Sequence, residues 1–127
     1  MIELNLRDDI RLIQNARRNA YVRKDEVTVG AVIKTKSGRK YTGCNIEVSE
    51  TEMVWAEKVS ITKAISEGEK DFDYIVVMAG KKDKEPEKYL PDEKCKEFIK
   101  NFVDENFKVY VIYDSKIEEY RWSDLVK

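Results

Sequence analysis

Glu57 is the residue whose setting most suggests chemistry. It shares a helical stripe with Val54, Ile61, Ala64 and Ile65. An ionised carboxylate on a core-facing stripe is costly unless something pairs with it. An inward Glu57 therefore implies either a helix turned enough to release it or a pocket for it to line. A second polar pair, Asp92 and Cys95, opens the inner stripe of a later helix that continues through Ile99 and Phe102. A thiol at a helix N-terminus can have a lowered pKa and act as a nucleophile. The sequence contains no histidine, so it offers no imidazole base, no imidazole ligand and none of the usual neutral-pH switches.

These side chains need elements to hold them. Ser49 followed by Glu52 reads as a capping box for the helix that carries Glu57, starting near residue 50, with Gly68 as its stop. Ahead of it, Asn5 caps a first helix whose opening turn carries Asp8 and Asp9 and whose buried stripe is Leu6, Ile10, Ile13, Ala16 and Ala20. Arg17, Arg18 and Arg23 suit the end of that helix and read as solvated. Val27 to Lys34 is β-rich, and Gly30 within it marks a place where a ligand or another backbone comes close. Lys36 to Arg39 turns the chain, and Lys40 to Glu47 returns as the partner strand.

Tyr74 to Ala79 is a continuous apolar run, suited to a strand buried on both faces. Lys81 to Lys88 is a charged loop with Pro86, and Pro91 sits at the first turn of the third helix. Lys108 to Tyr113 is β-branched and aromatic, followed by a strand or hairpin around Glu119 to Trp122 and a short tail from Ser123. This order predicts an α/β fold, a mixed sheet of about five strands flanked by helices.

The totals limit the partners. The 127 residues predict one domain, 1–127, with a real core. Basic and acidic residues, 24 and 25, leave a net charge of −1, so no bulk field draws nucleic acid or a membrane surface. No apolar run approaches the roughly 18 residues of a spanning helix, and the N-terminus is too polar for a signal peptide. Two cysteines, Cys44 and Cys95, argue against a disulfide scaffold and suit a cytoplasmic location.

Several separated motifs together resemble a known family. They are Val29-Gly30-Ala31, Tyr41-Thr42-Gly43-Cys44-Asn45-Ile46-Glu47, Ala56-Glu57, the run from Lys63 to Gly68 with Asp71-Phe72, and Pro91 ahead of Cys95. In this order they look like the small cytidine deaminases, with a similarity to blasticidin S deaminase as well. The resemblance covers about residue 10 to residue 125. It implies a three-layer fold, a homotetramer with pockets near subunit contacts, and hydrolytic deamination of a nucleoside. That chemistry uses a zinc held by three protein ligands with water in the fourth place. The metal lowers the pKa of the water so that hydroxide can attack C4 of cytosine, while a nearby glutamate that is not a ligand shuttles the proton.

Carried over residue by residue, the resemblance assigns the proton shuttle to Glu57 and the ribose hydroxyls to Asn45 and Glu47. Trp55 and Ala56 would face the base with Glu57. The three ligand positions fall on Trp55, Asp92 and Cys95. Trp55 has no lone pair to offer a metal, which leaves a carboxylate and a thiolate, one ligand short of a catalytic zinc set. Val48 stands where the family usually has another asparagine, and the segment from Asn45 to Trp55 is slightly short. Lys58 stands where an arginine often steadies the zinc thiolates.

Three functions follow as expectations. The first is a nucleoside-binding homologue, cytoplasmic and homo-oligomeric (tetramer or dimer), with no cofactor and no nucleic-acid or membrane partner. The second is an active deaminase of cytidine, deoxycytidine or a related aminated nucleoside, using an unusual zinc site through Cys95 and Asp92. The third is a structural or regulatory oligomer whose pocket Trp55 closes. Beside these stand plainer readings: Asn45 and Glu47 as polar residues at a strand end, Cys95 as a small buried hydrophobe, and Lys58 as a solvated helix lysine.

Overall fold

Successive residues of a strand face opposite sides of its sheet, and in this chain both sides are apolar. Val29, Ala31, Ile33, Ile75, Val77, Ala79, Val109 and Val111 belong to one buried cluster, and Val32, Tyr74, Val76, Met78, Tyr110 and Ile112 to another. Such a sheet needs cover on both faces, and the chain provides it. The computed structural model describes residues 4–23, 27–81 and 84–126. The chain runs α1 (Leu4–Arg18), β1 (Val27–Thr35), β2 (Lys40–Cys44), β3 (Ile46–Glu47), β4 (Met53–Val54), α2 (Ala56–Ser66), β5 (Phe72–Lys81), α3 (Glu93–Ile99), β6 (Lys108–Tyr113), β7 (Lys116–Arg121) and α4 (Trp122–Leu125).

The five-stranded sheet has the order β2-β1-β5-β6-β7. Only β5 and β6 pair in parallel; the other neighbours are antiparallel. α1 contributes Leu6 and Ile13 to one face, while α2 and α3 cover the other with Ala56, Ile61, Ala64, Cys95 and Ile99. The expected α/β fold, a mixed sheet flanked by helices in three layers, is therefore the observed one. Among the described residues, no helix is long and apolar enough to cross a membrane.

Two glycines set how closely the helices approach. A Cβ on Gly30 would lie 2.8 Å from the backbone oxygen of Ile13, and one on Gly43 would lie 2.4 Å from the backbone oxygen of Ala56. The close approach expected at Gly30 is thus that of the α1 backbone, not of a ligand. Gly43 does the same for the start of α2 and so fixes where Glu57 sits.

Several local expectations need correction. The strand expected to run from Lys40 to Glu47 stops at Cys44, and Ile46–Glu47 instead forms a small ribbon with Met53–Val54. Ser49 and Glu52 are not a capping box. The backbone N–H groups of Val48 and Ser49 both donate to Glu52 O, closing the turn of that ribbon. α2 consequently begins at Ala56 with Trp55 as its N-cap and no side-chain cap. Ile65 is 36% exposed and lies off the inner face, which is made by Ala56, Glu57, Ser60, Ile61 and Ala64. Gly68, with φ of 96°, does mark the C-terminal stop. Pro91 precedes the cap of α3, Phe102 is 37% exposed, and the tail from Ser123 is a short helix anchored by buried Trp122. The cap expected at Asn5 falls on a side chain outside the described residues, as do Lys82 and Asp83 of the charged loop.

Asp9 also departs from expectation. The helix starts early enough to place it in the second turn, on the inner stripe with Leu6, Ile13 and Ala16, where it is fully buried. It accepts a 2.6 Å hydrogen bond from the Tyr74 hydroxyl and pairs with Lys40 Nζ at 2.7 Å. Burial, with Asp9 alongside, pushes the Tyr74 phenol well above its ordinary pKa.

Candidate functional site

Two helix starts, those of α2 and α3, bring the polar residues together. Glu57, in the first turn of α2, is fully buried. Its Oε2 accepts a 2.8 Å hydrogen bond from the Tyr89 hydroxyl and a 3.3 Å bond from Cys95 Sγ. Oε1 is buried and has no hydrogen-bond partner among the described residues. Burial raises the Glu57 carboxyl pKa, and the Tyr89 and Cys95 donors work against that rise. Both donors are held protonated in turn. Burial, reinforced by the Glu57 charge, pushes the Cys95 thiol and the Tyr89 phenol well above their ordinary values. This is the opposite of what a cysteine nucleophile requires. Ala56, also fully buried, packs where β2 meets α2.

Asp92 is the N-cap of α3, its Oδ1 accepting from the Cys95 backbone N–H at 2.9 Å. Trp55, half-buried, packs against the cluster that contains Cys95. Trp55 and Asp92 also line an open groove of about 620 Å³, together with Thr51, Glu52, Met53, Glu93 and Lys94. Glu57, Tyr89 and Cys95 do not line it.

Asn45 and Glu47 lie on the segment between β2 and β4, both largely buried. The Asn45 side chain is engaged with β1: its Oδ1 accepts from Val29 N at 2.8 Å, and its Nδ2 donates to Val27 O at 3.1 Å. These bonds tie the β3–β4 ribbon to the sheet. Glu47 N donates to Tyr21 O at 2.7 Å, which draws the end of the first helix's connection onto the same ribbon. Lys58 is an exposed helix lysine, as its plainer reading expects. Its Nζ sits 5.4 Å from the centre of the Phe98 ring and links α2 to α3.

The donor set does not fit a three-ligand zinc. The Trp55 indole has no lone pair for a metal, Asp92 Oδ1 is engaged as a helix cap, and the Cys95 thiol donates to Glu57. Among the described residues, no group of three or more histidine, cysteine, aspartate or glutamate side chains is gathered to hold a metal. Tyr89 is the site residue that sequence patterning missed. It lies 32 positions from Glu57, so no helical or strand period connects the two. The available signal was a tyrosine just ahead of Pro91 and the α3 cap.

Residues 6–111 match the sequence family described as the cytidine and deoxycytidylate deaminase zinc-binding region. A probable cytidine deaminase of Dictyostelium discoideum is 35% identical over 92 residues, which are 72% of this chain and 60% of that protein. The cytidine deaminase of Sporosarcina psychrophila is 32% identical over 99 residues, 77% of this chain and 70% of that protein. The match thus spans less than two thirds of the Dictyostelium protein's length. In structure, the Burkholderia pseudomallei cytidine deaminase is similar with a TM-score of 0.80 at 22% identity, covering 98% of this chain and 96% of that one. The Mycobacterium leprae enzyme gives 0.78 at 18% identity, covering 98% of each. The structures establish a shared fold, the sequence match runs through both helix starts that frame Glu57, and on these grounds the chain belongs to the cytidine and deoxycytidylate deaminase family.

Proposed function

We propose that this chain is a single-domain, cytoplasmic, nucleoside-binding member of the family in which zinc-dependent hydrolytic deamination is lost or altered. The observation that carries the reading is the Glu57 carboxyl. It is fully buried at the head of α2, with one oxygen held by Tyr89 and Cys95 and the other left without a partner. Burying a carboxylate this way costs stability, and a binding role accounts for keeping it. Trp55 gives the groove an aromatic wall on which the base stacks, the Asn45–Glu47 segment lies on the sugar side, and Glu57, which does not line the groove, meets the base after a local rearrangement.

Melting experiments test this. Cytidine, deoxycytidine or uridine is expected to raise the melting temperature, and Trp55→Ala to weaken the binding about tenfold, the scale of one base–aromatic stack. If none of the three nucleosides shifts the melt, the reading fails and a closed-pocket structural protein takes its place.

The unclaimed Oε1 of Glu57 favours a second reading, an active deaminase of an aminated pyrimidine nucleoside. Cytidine incubated with the protein and added zinc distinguishes the two. Loss of the cytosine ultraviolet band, abolished in Glu57→Gln, would establish the enzyme.

We also propose a homo-oligomer, a dimer or tetramer. Tyr21, Val48 and Leu90 are 52%, 45% and 37% exposed, apolar area that a second copy would cover. Light scattering is expected to give a multiple of 14.9 kDa; a monomer mass contradicts the assembly.

A further inference from the structure

The Glu57 carboxyl is held by donors from outside its own helix. A glutamate side chain has three rotatable bonds. Fixing its carboxyl in a dry interior needs donors that are themselves fixed. Two donors converge on the same oxygen, Glu57 Oε2: the Tyr89 hydroxyl at 2.8 Å and Cys95 Sγ at 3.3 Å. The shorter bond is also the better donor, since a thiol donates weakly. Cys95 is placed by the α3 cap at Asp92, which holds its backbone N–H at 2.9 Å. Tyr89 is placed from outside α3. It packs against the α2 side of the core, two residues beyond Glu87, whose backbone N–H donates to Ala79 O of β5 at 2.8 Å. The carboxyl is thus gripped from α3 and from the segment ahead of it, which is itself bonded to β5 at Ala79.

We propose that Tyr89 is a positioning residue of this site, its hydroxyl fixing one oxygen of the Glu57 carboxyl and leaving the other, buried oxygen uncommitted for a ligand that reaches it. Tyr89 acts through Glu57 and need not touch the ligand itself. The role rests on the nucleoside-site reading only for its effect on binding; the grip on the carboxyl is independent of what binds.

The test uses the full chain carrying carbon-13 in its glutamate carboxyl groups. The Glu57 signal is identified by its loss in Glu57→Gln. In Tyr89→Phe that signal is expected to move while the other glutamate signals and the circular dichroism spectrum stay in place, and cytidine affinity is expected to fall about tenfold. A purely structural tyrosine would lower the melting temperature and leave the Glu57 signal where it was, and that result overturns the proposal. If the wild-type protein binds no cytidine but the signal still moves in Tyr89→Phe, the nucleoside reading fails and the positioning role stands. Should Tyr89→Phe not fold, the unmutated protein decides. The bonded Tyr89 hydroxyl proton is expected to exchange slowly with water and to vanish in Glu57→Ala, and its absence from the wild-type spectrum overturns the proposal.

Discussion

Glu57→Gln is expected to stabilise the protein by about 1–2 kcal/mol at neutral pH while weakening cytidine binding by about a hundredfold. Glu57 is fully buried, one of its oxygens has no partner, and its two donors only partly offset the loss of hydration. Removing an ionised group from water costs several kcal/mol even after relaxation. Glutamine keeps the shape and retains an oxygen for the Tyr89 hydroxyl, but it carries no charge to desolvate. A burial-raised carboxyl pKa also fixes how the effect varies with pH. Because the folded value lies above the unfolded one, the contribution of Glu57 to stability is greatest below the unfolded pKa. It declines as pH rises through the folded one. The advantage of Glu57→Gln should therefore grow with pH. Denaturant titrations of both proteins at acidic and alkaline pH check this, and an advantage that shrinks as pH rises would contradict it.

Asp9→Ala is expected to act in the opposite direction, costing about 3 kcal/mol. Asp9 is fully buried between α1 and the sheet, bonded to the Tyr74 hydroxyl and paired with Lys40. Removing one partner of a buried pair costs about 3–5 kcal/mol, because the other is left without compensation. The Lys40 side chain keeps 18% of its exposure and retains Asp8 Oδ2 at 3.5 Å, which places the expected loss at the lower end of that range. Because this cluster lies on the α1 face of the sheet, away from α2 and α3, the stability loss should come without a change in cytidine affinity below the melting temperature. Chemical denaturation and a binding titration on the same variant measure both; a loss below about 1 kcal/mol would mean the pair contributes little.

The two acids show how far the sequence could be read. Glu57 was legible because it shares its inner face with Ile61 and Ala64, and a helical period finds such a face even when the boundary is wrong. The boundary was wrong because Ser49 and Glu52 have the spacing of a capping box, while Met53–Val54 pairs with β3. That pairing depends on contacts outside the segment. Asp9 misled for a related reason: an acid near a helix start suits the helix dipole, and its partner Tyr74 lies 65 positions away. Strands β5 and β6 were plain from their apolar runs, since a strand buried on both faces announces itself in composition. The site divides in the same way. The helices carrying Glu57 and Cys95, though not their starts, follow from local pattern and family resemblance. The Tyr89 hydroxyl and the commitment of Asn45 to the β1 backbone are long-range hydrogen bonds that no local pattern encodes.

In the proposed function the groove beside Trp55 and Asp92 binds a nucleoside, with Glu57 contributing and no metal needed. Calorimetric titration of cytidine into chelator-treated protein tests it most directly. The expected result is saturable binding of one cytidine per chain, unchanged by the chelator and lost in Glu57→Gln. Binding that is absent, or that returns only when zinc is restored, would contradict it.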